Sequence, residues 1–156
     1  SWRKGDYTVA AYKEEILLQQ ASVEDLEKNI ADNIQIGPFD VSVSRTKNHL
    51  INKRKEILTK LLTLLTEHLR NKVDDVMYEY MEIKRKLRED PKCIEEVFEI
   101  RELIETLPMQ LNALMETATR LKFDYDVLEY FKWTISDEDF HNKWQILLFS
   151  SLINNQ

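Results

Sequence analysis

Glycine and proline are almost missing from this chain, with 2 Gly and 3 Pro in 156 residues. β-Sandwiches and α/β enzymes turn on such residues many times, so their scarcity favours helices joined by few loops. A single cysteine, Cys93, excludes an internal disulfide and points to a reducing compartment. No run of about 18 apolar residues occurs, so no membrane span is expected. Gly5 and Gly37 alone cannot build a phosphate-binding loop, which needs several glycines so that bare backbone amides reach the anion. There is no GxSxG nucleophile elbow and no Glu-x-x-His spacing of the kind that builds a di-metal site inside a helical bundle. His49, His68 and His141 lie far apart, and Glu67 beside His68 points to a different helix face. The expectation is a non-enzyme with no catalytic, cofactor-binding or metal-ligating residues. His68 reads as a surface or boundary histidine and Cys93 as a packed thiol. The chain opens Ser-Trp-Arg-Lys, with neither an initiator Met nor a signal peptide, and so reads as a piece of something longer.

What is abundant is apolar and charged residues, 43% and 32% of the chain, enough for a core and too apolar for wholesale disorder. The net charge of −6 is unevenly spread. Residues 45–88 hold 12 Lys/Arg against 6 Asp/Glu, whereas residues 89–140 hold 5 against 14. Complementary charge on neighbouring antiparallel helices accounts for this pattern. A nucleic-acid surface is disfavoured, because the molecule is acidic and its basic stretch lacks interleaved aromatics. The row Glu95, Glu96, Glu99, Glu102 and Glu105 reads as a solvated helix face.

Apolar residues recur at helical spacing from about Tyr7 to Ile34, with a restart expected where Ser22 and Asp25 resemble a capping box. Gly37-Pro38 then breaks the chain. Phe39, Val41 and Val43 alternate with polar residues, which predicts a short extended connector packed on helices. From Ser44 to Arg88 there is neither Gly nor Pro. Leu58, Leu62, Leu65, Leu69, Val73, Val76, Tyr80, Ile83 and Leu87 step by three or four, nearly a heptad seam. Such a helix is about 65 Å long at 1.5 Å per residue, so it needs a long partner. Asp90-Pro91 ends it. Cys93–Lys122 supplies the returning helix, with a kink or break expected near Leu107 because of Pro108. The aromatic stretch Phe123–Trp133 reads as a cluster closing the end of the hairpin. Ser136 caps a last helix through Phe140, Trp144, Leu147 and Leu148, which is expected to fray beyond Ser150.

Several of these stretches resemble the tail of axonemal dynein heavy chains. Asn33-Ile-Gln-Ile-Gly-Pro-Phe-Asp-Val41 leads into a helix bearing Leu50-Ile-Asn-Lys-Arg-Lys-Glu-Ile-Leu58. Ile94-Glu-Glu-Val-Phe-Glu-Ile-Arg-Glu-Leu-Ile104 with Pro108 follows, then Tyr125-Asp-Val-Leu-Glu-Tyr-Phe131 and Asp137-Glu-Asp-Phe-His-Asn-Lys-Trp144. The resemblance covers roughly residues 30 to 145 and implies a stem segment just before the linker, far from the ATP-hydrolysing ring. It implies a mechanical role, docking of other dynein heavy, intermediate or light chains, indirect association with microtubules, and a place in the ciliary axoneme. No membrane or nucleic-acid partner is implied. The family usually continues past the position of Trp144 with a Trp-Pro pair; here Gln145–Gln156 contains no Pro, as expected of a truncated or alternatively terminated product.

The fold expected is all-α, an elongated antiparallel helical bundle or hairpin of long helices with one short extended connector. Residues 1–43 are expected to form an N-terminal helix and extended Gly-Pro connector, and residues 44–156 a long helical hairpin with a short last helix, together one structural unit. The function expected is a non-catalytic structural segment of a dynein-like heavy-chain tail. An independent coiled-coil adaptor or tether is the alternative, since it explains the same seam. The candidate interaction surface is the basic triplets Lys53, Arg54, Lys55 and Lys84, Arg85, Lys86.

Overall fold

The computed structural model describes residues 8–154. It is all-α apart from one small hairpin: α1 (Val9–Asn29), β1 (Asn33–Ile36), β2 (Phe39–Ser42), α2 (Ser44–Arg88), α3 (Ile94–Tyr130) and α4 (Asp137–Asn154). These residues fall into two compact units, one ending at Leu65 and the next beginning at Thr66, so the division lies within α2. No described helix is long and apolar enough to cross a membrane.

In the first unit, α1 begins at Thr8, whose Oγ1 accepts from the Ala11 amide at 3.3 Å. The expected start at Tyr7 lies outside the described residues. No restart occurs at Ser22: α1 is continuous there, because a capping box operates only where the backbone leaves helical angles. Val9, Tyr12, Ile16, Gln19 and Val23 form the buried stripe of α1, and Ile51, Leu61, Leu62 and Leu65 are buried on α2. Polar ties run from α1 and the loop after it to α2 in antiparallel order. Arg54 Nη1 donates to Gln19 Oε1 at 3.0 Å, and Lys47 Nζ donates to Asp32 Oδ1 at 3.2 Å.

The expected connector is instead a two-stranded antiparallel hairpin, Asn33 pairing with Ser42 and Ile36 with Phe39. The segment supplies its own partner, so no second strand from elsewhere is needed. Gly37 has φ of +60° at the first turn position. Pro38 holds φ negative at the second, which excludes a type I′ turn and leaves II′. Ile36 and Phe39 are exposed, so the hairpin tip is not packed on helices as expected.

In the second unit, α2 and α3 run antiparallel. Tyr78, Glu79, Glu82 and Ile83 share a groove with Gln110, Ala113, Leu114 and Thr117, and nearer the connecting loop Arg85 and Lys86 share another with Leu103 and Thr106. Leu69, Val73 and Val76 are buried on α2, and Leu114, Ala118, Leu121, Tyr125 and Leu128 on α3. Pro108 does not break α3. Its missing N–H leaves the Ile104 carbonyl without its usual donor. In the same turn the Thr106 hydroxyl lies 3.1 Å from the Glu102 carbonyl and 3.2 Å from that of Leu103.

Helix α3 also runs past Lys122 to Tyr130, so the aromatic stretch is mostly helix. Tyr125 is buried, whereas Phe123 and Tyr130 face solvent. Its end is a Schellman motif. The Trp133 amide donates to the Leu128 carbonyl at 3.2 Å, and the Lys132 amide to that of Glu129 at 2.9 Å. Lys132 takes the left-handed position, φ 52°, that glycine normally fills. Helix α4 continues past Ser150 through Asn154. Its inward stripe is Asp139 and Ile146, while Phe140, Trp144 and Leu148 are exposed. Cys93 is exposed at the N-cap of α3 and is not a core thiol. An N-cap beside the α2–α3 loop lies outside the packed stripe.

Candidate functional site

The most strongly built polar site lies in the second unit, where α4 enters against α2 and α3. Ser136 opens α4 as the capping residue. Its Oγ accepts from the Asp139 amide at 3.2 Å and donates to Asp139 Oδ2 at 2.7 Å. The first-turn carboxylate also lies at the positive end of the helix dipole. Arg70 of α2 meets that carboxylate with both edges of its fork: Nε donates to Oδ1 and Nη2 to Oδ2, each at 2.8 Å. Such paired, parallel, charge-assisted bonds fix orientation as well as distance. Asp139 is 1% exposed and Arg70 39%, so one charge is buried and its partner reaches water through its stem.

The electrostatics follow from this geometry. The Arg70 hydrogen bonds hold the Asp139 carboxyl below the usual carboxylate range, and Ser136 adds to the effect against burial. Asp139 in turn raises the Arg70 guanidinium above its ordinary value. Beside them Tyr125 is buried at 1% exposure, and its hydroxyl has no hydrogen-bond partner. Burial, with the Asp139 charge second, pushes that phenol up to about 12. Asp124 is raised by burial, which the charges of Lys72 and His68 partly offset. A second tie lies further along α4: Lys143 pairs with Glu129 and stands 3.7 Å from Asp126 Oδ1.

This arrangement clamps three helices. The Asp139 carboxylate accepts from both Arg70 and Ser136, burial holds the phenol protonated, and the Ser136 hydroxyl is spent on the cap. Among the described residues no three His, Cys, Asp or Glu side chains gather where they could hold a metal ion.

The six basic residues singled out from the sequence are all exposed. In the first unit Lys53 pairs with Glu56, Lys55 with Glu27, and Arg54 with the buried Gln19. In the second, Arg85 bridges Glu82 and Glu89, Lys84 stands over the Tyr80 ring at 5.9 Å, and Lys86 lines the groove near the loop. Neither Arg70 nor Asp139 stands out in the sequence as a pair. Asp139 reads as one of three first-turn acids, and Arg70 as one more charge beside the Leu69–Val73 seam. The only legible signal is an arginine next to a seam, which does not name its partner 69 residues away.

No protein-family model matches the chain. Comparison with curated proteins is decisive. Human dynein axonemal heavy chain 1 is 34% identical over 132 residues, 85% of this chain. The mouse protein of the same name is 33% identical over the same share, and the rat one 26%. Over most of its length this chain is similar to a segment of axonemal dynein heavy chains. It spans only 3–4% of the length of those relatives. The clamp and the long α2 therefore belong to one small segment of a heavy-chain-like sequence.

Proposed function

We propose that this chain is a non-catalytic structural segment of a dynein-like heavy-chain tail, acting as a stiff scaffold on which associated chains dock. The observation that carries the reading is α2, 45 residues of helix with neither Gly nor Pro, braced in the second unit by α3 and by the Arg70–Asp139 clamp. A helix held on its core side by antiparallel neighbours resists bending, because bending has to open packed side chains. Similarity to axonemal heavy chains supports placing it in a cytoskeletal, ciliary assembly, with other dynein chains as partners and microtubules reached only through that assembly. The two basic triplets are contact points for acidic segments of those chains.

The test uses the purified chain with purified dynein intermediate and light chains, ATP and microtubules. Binding to at least one dynein chain is expected, with no nucleotide hydrolysis and no co-sedimentation with microtubules at physiological salt. Hydrolysis by the chain itself, or direct co-sedimentation, contradicts the reading. A concentration-independent homodimer through α2 in light scattering favours a free-standing coiled-coil tether, which the seam also accommodates.

A further inference from the structure

The loop-proximal half of α3 leaves a row of large apolar side chains in water. Ile94 is 85% exposed, Phe98 69% and Met109 72%, with Val97 and Ile104 each more than half exposed. Single exposed apolar residues are ordinary on protein surfaces. At 3.6 residues per turn these five fall on one side of α3, which they share with the exposed Arg101–Glu105 ion pair. That side lies opposite the arc that buries Leu114, Ala118, Leu121, Tyr125 and Leu128 further along the helix. Ile94, Val97 and Phe98, clustered at the loop end of that side, form an apolar patch of the kind that marks a contact surface.

Charge states what fits there. Glu95, Glu99 and Glu102 are exposed and run along one flank of the strip. Beyond that flank lies the groove of about 550 Å³ between α2 and α3, where Glu89, Asp90, Glu96, Glu99 and Glu102 outnumber Arg85 and Lys86. Arg85 is already engaged by Glu82 and Glu89. An antiparallel second copy on the same strip sets glutamate row against glutamate row, which is repulsive. An anionic membrane surface is repelled in the same way.

We infer that the Ile94–Met109 face of α3 docks an amphipathic helix of another polypeptide, with apolar residues at three- and four-residue spacing and a Lys/Arg flank. Its apolar stripe covers Ile94, Val97, Phe98 and Ile104, and its cations meet Glu95, Glu99 and Glu102. The inference rests on the docking part of the proposed scaffold and gives that part a place and a chemistry.

The experiment titrates the whole chain into two labelled synthetic helices that share Leu/Ile positions, one flanked by Lys/Arg and one by Glu, and follows fluorescence anisotropy. The basic helix is expected to bind, to weaken with added salt, and to beat the acidic helix by about tenfold or more. Phe98→Ala weakens it by about tenfold. The triple change Glu95→Lys, Glu99→Lys, Glu102→Lys inverts the preference toward the acidic helix, and circular dichroism verifies that each variant keeps its helices. Equal binding of both helices, binding of neither, salt-independent binding or uptake by phosphatidylserine vesicles each overturns the inference. A concentration-dependent dimer abolished by Phe98→Ala also overturns it, in favour of self-association. If neither helix binds while the chain still captures a purified dynein chain, the scaffold reading stands and only this face is wrong.

Discussion

Helix α3 is two different surfaces joined end to end. From Leu114 to Leu128 it carries five buried residues at helical spacing, whereas from Ile94 to Met109 none is buried. The apolar content of the two halves is similar, so composition does not explain the contrast. Coverage does. The later half packs against α4, to which Lys143 ties it, as well as α2; among the described residues the earlier half is faced by α2. A two-helix hairpin hides only part of the facing stripe of each helix: Ile100, Leu103 and Leu107, on the same arc as Leu114 and Leu121, stay half-buried, and that arc is fully buried only where a third helix arrives. The Arg70–Asp139 clamp stands where that third helix enters.

Substitutions break or sharpen this contrast. The largest effect is expected from Leu128→Ala in the covered half, where the side chain is fully buried. Urea unfolding monitored by circular dichroism should show a loss of about 3 kcal/mol, while Ile104→Ala in the open half stays within about 0.5 kcal/mol. Next comes Asp139→Asn, expected to cost about 2 kcal/mol at neutral pH, because it leaves Arg70 without its anion. The Asp139 pKa is depressed in the folded state. Its contribution is therefore present above the unfolded value of about 3.9 and is lost as pH falls through the lower folded value. Urea titrations from pH 7 to pH 3 should show the difference between wild type and Asp139→Asn shrinking at the acid end; a constant difference contradicts the clamp. Lys132→Gly removes a Cβ from a left-handed position and should stabilise by about 0.5–1 kcal/mol in thermal melts. The smallest effect belongs to Tyr125→Phe. It removes a buried hydroxyl with no partner, so thermal melts should show stability unchanged or slightly raised.

The parts legible in the sequence were those governed by local chemistry. The absence of Gly and Pro sets the span of α2, Asp90-Pro91 its end, and Ser136 the start of α4. The seam reads correctly through Leu62, Leu65, Leu69, Val73 and Val76, then fails at Leu87, which is exposed. Spacing reports that a face is apolar and says nothing of whether anything covers it. The hairpin went unread because Gly37-Pro38 registers as a break before it registers as a type II′ turn. The face of α4 was misread for a related reason. Phe140 and Trp144 are the larger apolar residues, yet Asp139 is buried because a guanidinium from α2 meets it. That pairing is a tertiary fact joining residues 69 apart, which periodicity cannot carry.

Amide hydrogen exchange along α3 tests the contrast most directly. Amides from Leu114 to Leu128 should exchange only through opening of the whole second unit, on the order of a hundredfold more slowly than those from Val97 to Leu107, which open locally. Uniform protection along α3 contradicts the account, because it requires the inner stripe of the loop-proximal half to be as well covered as the rest.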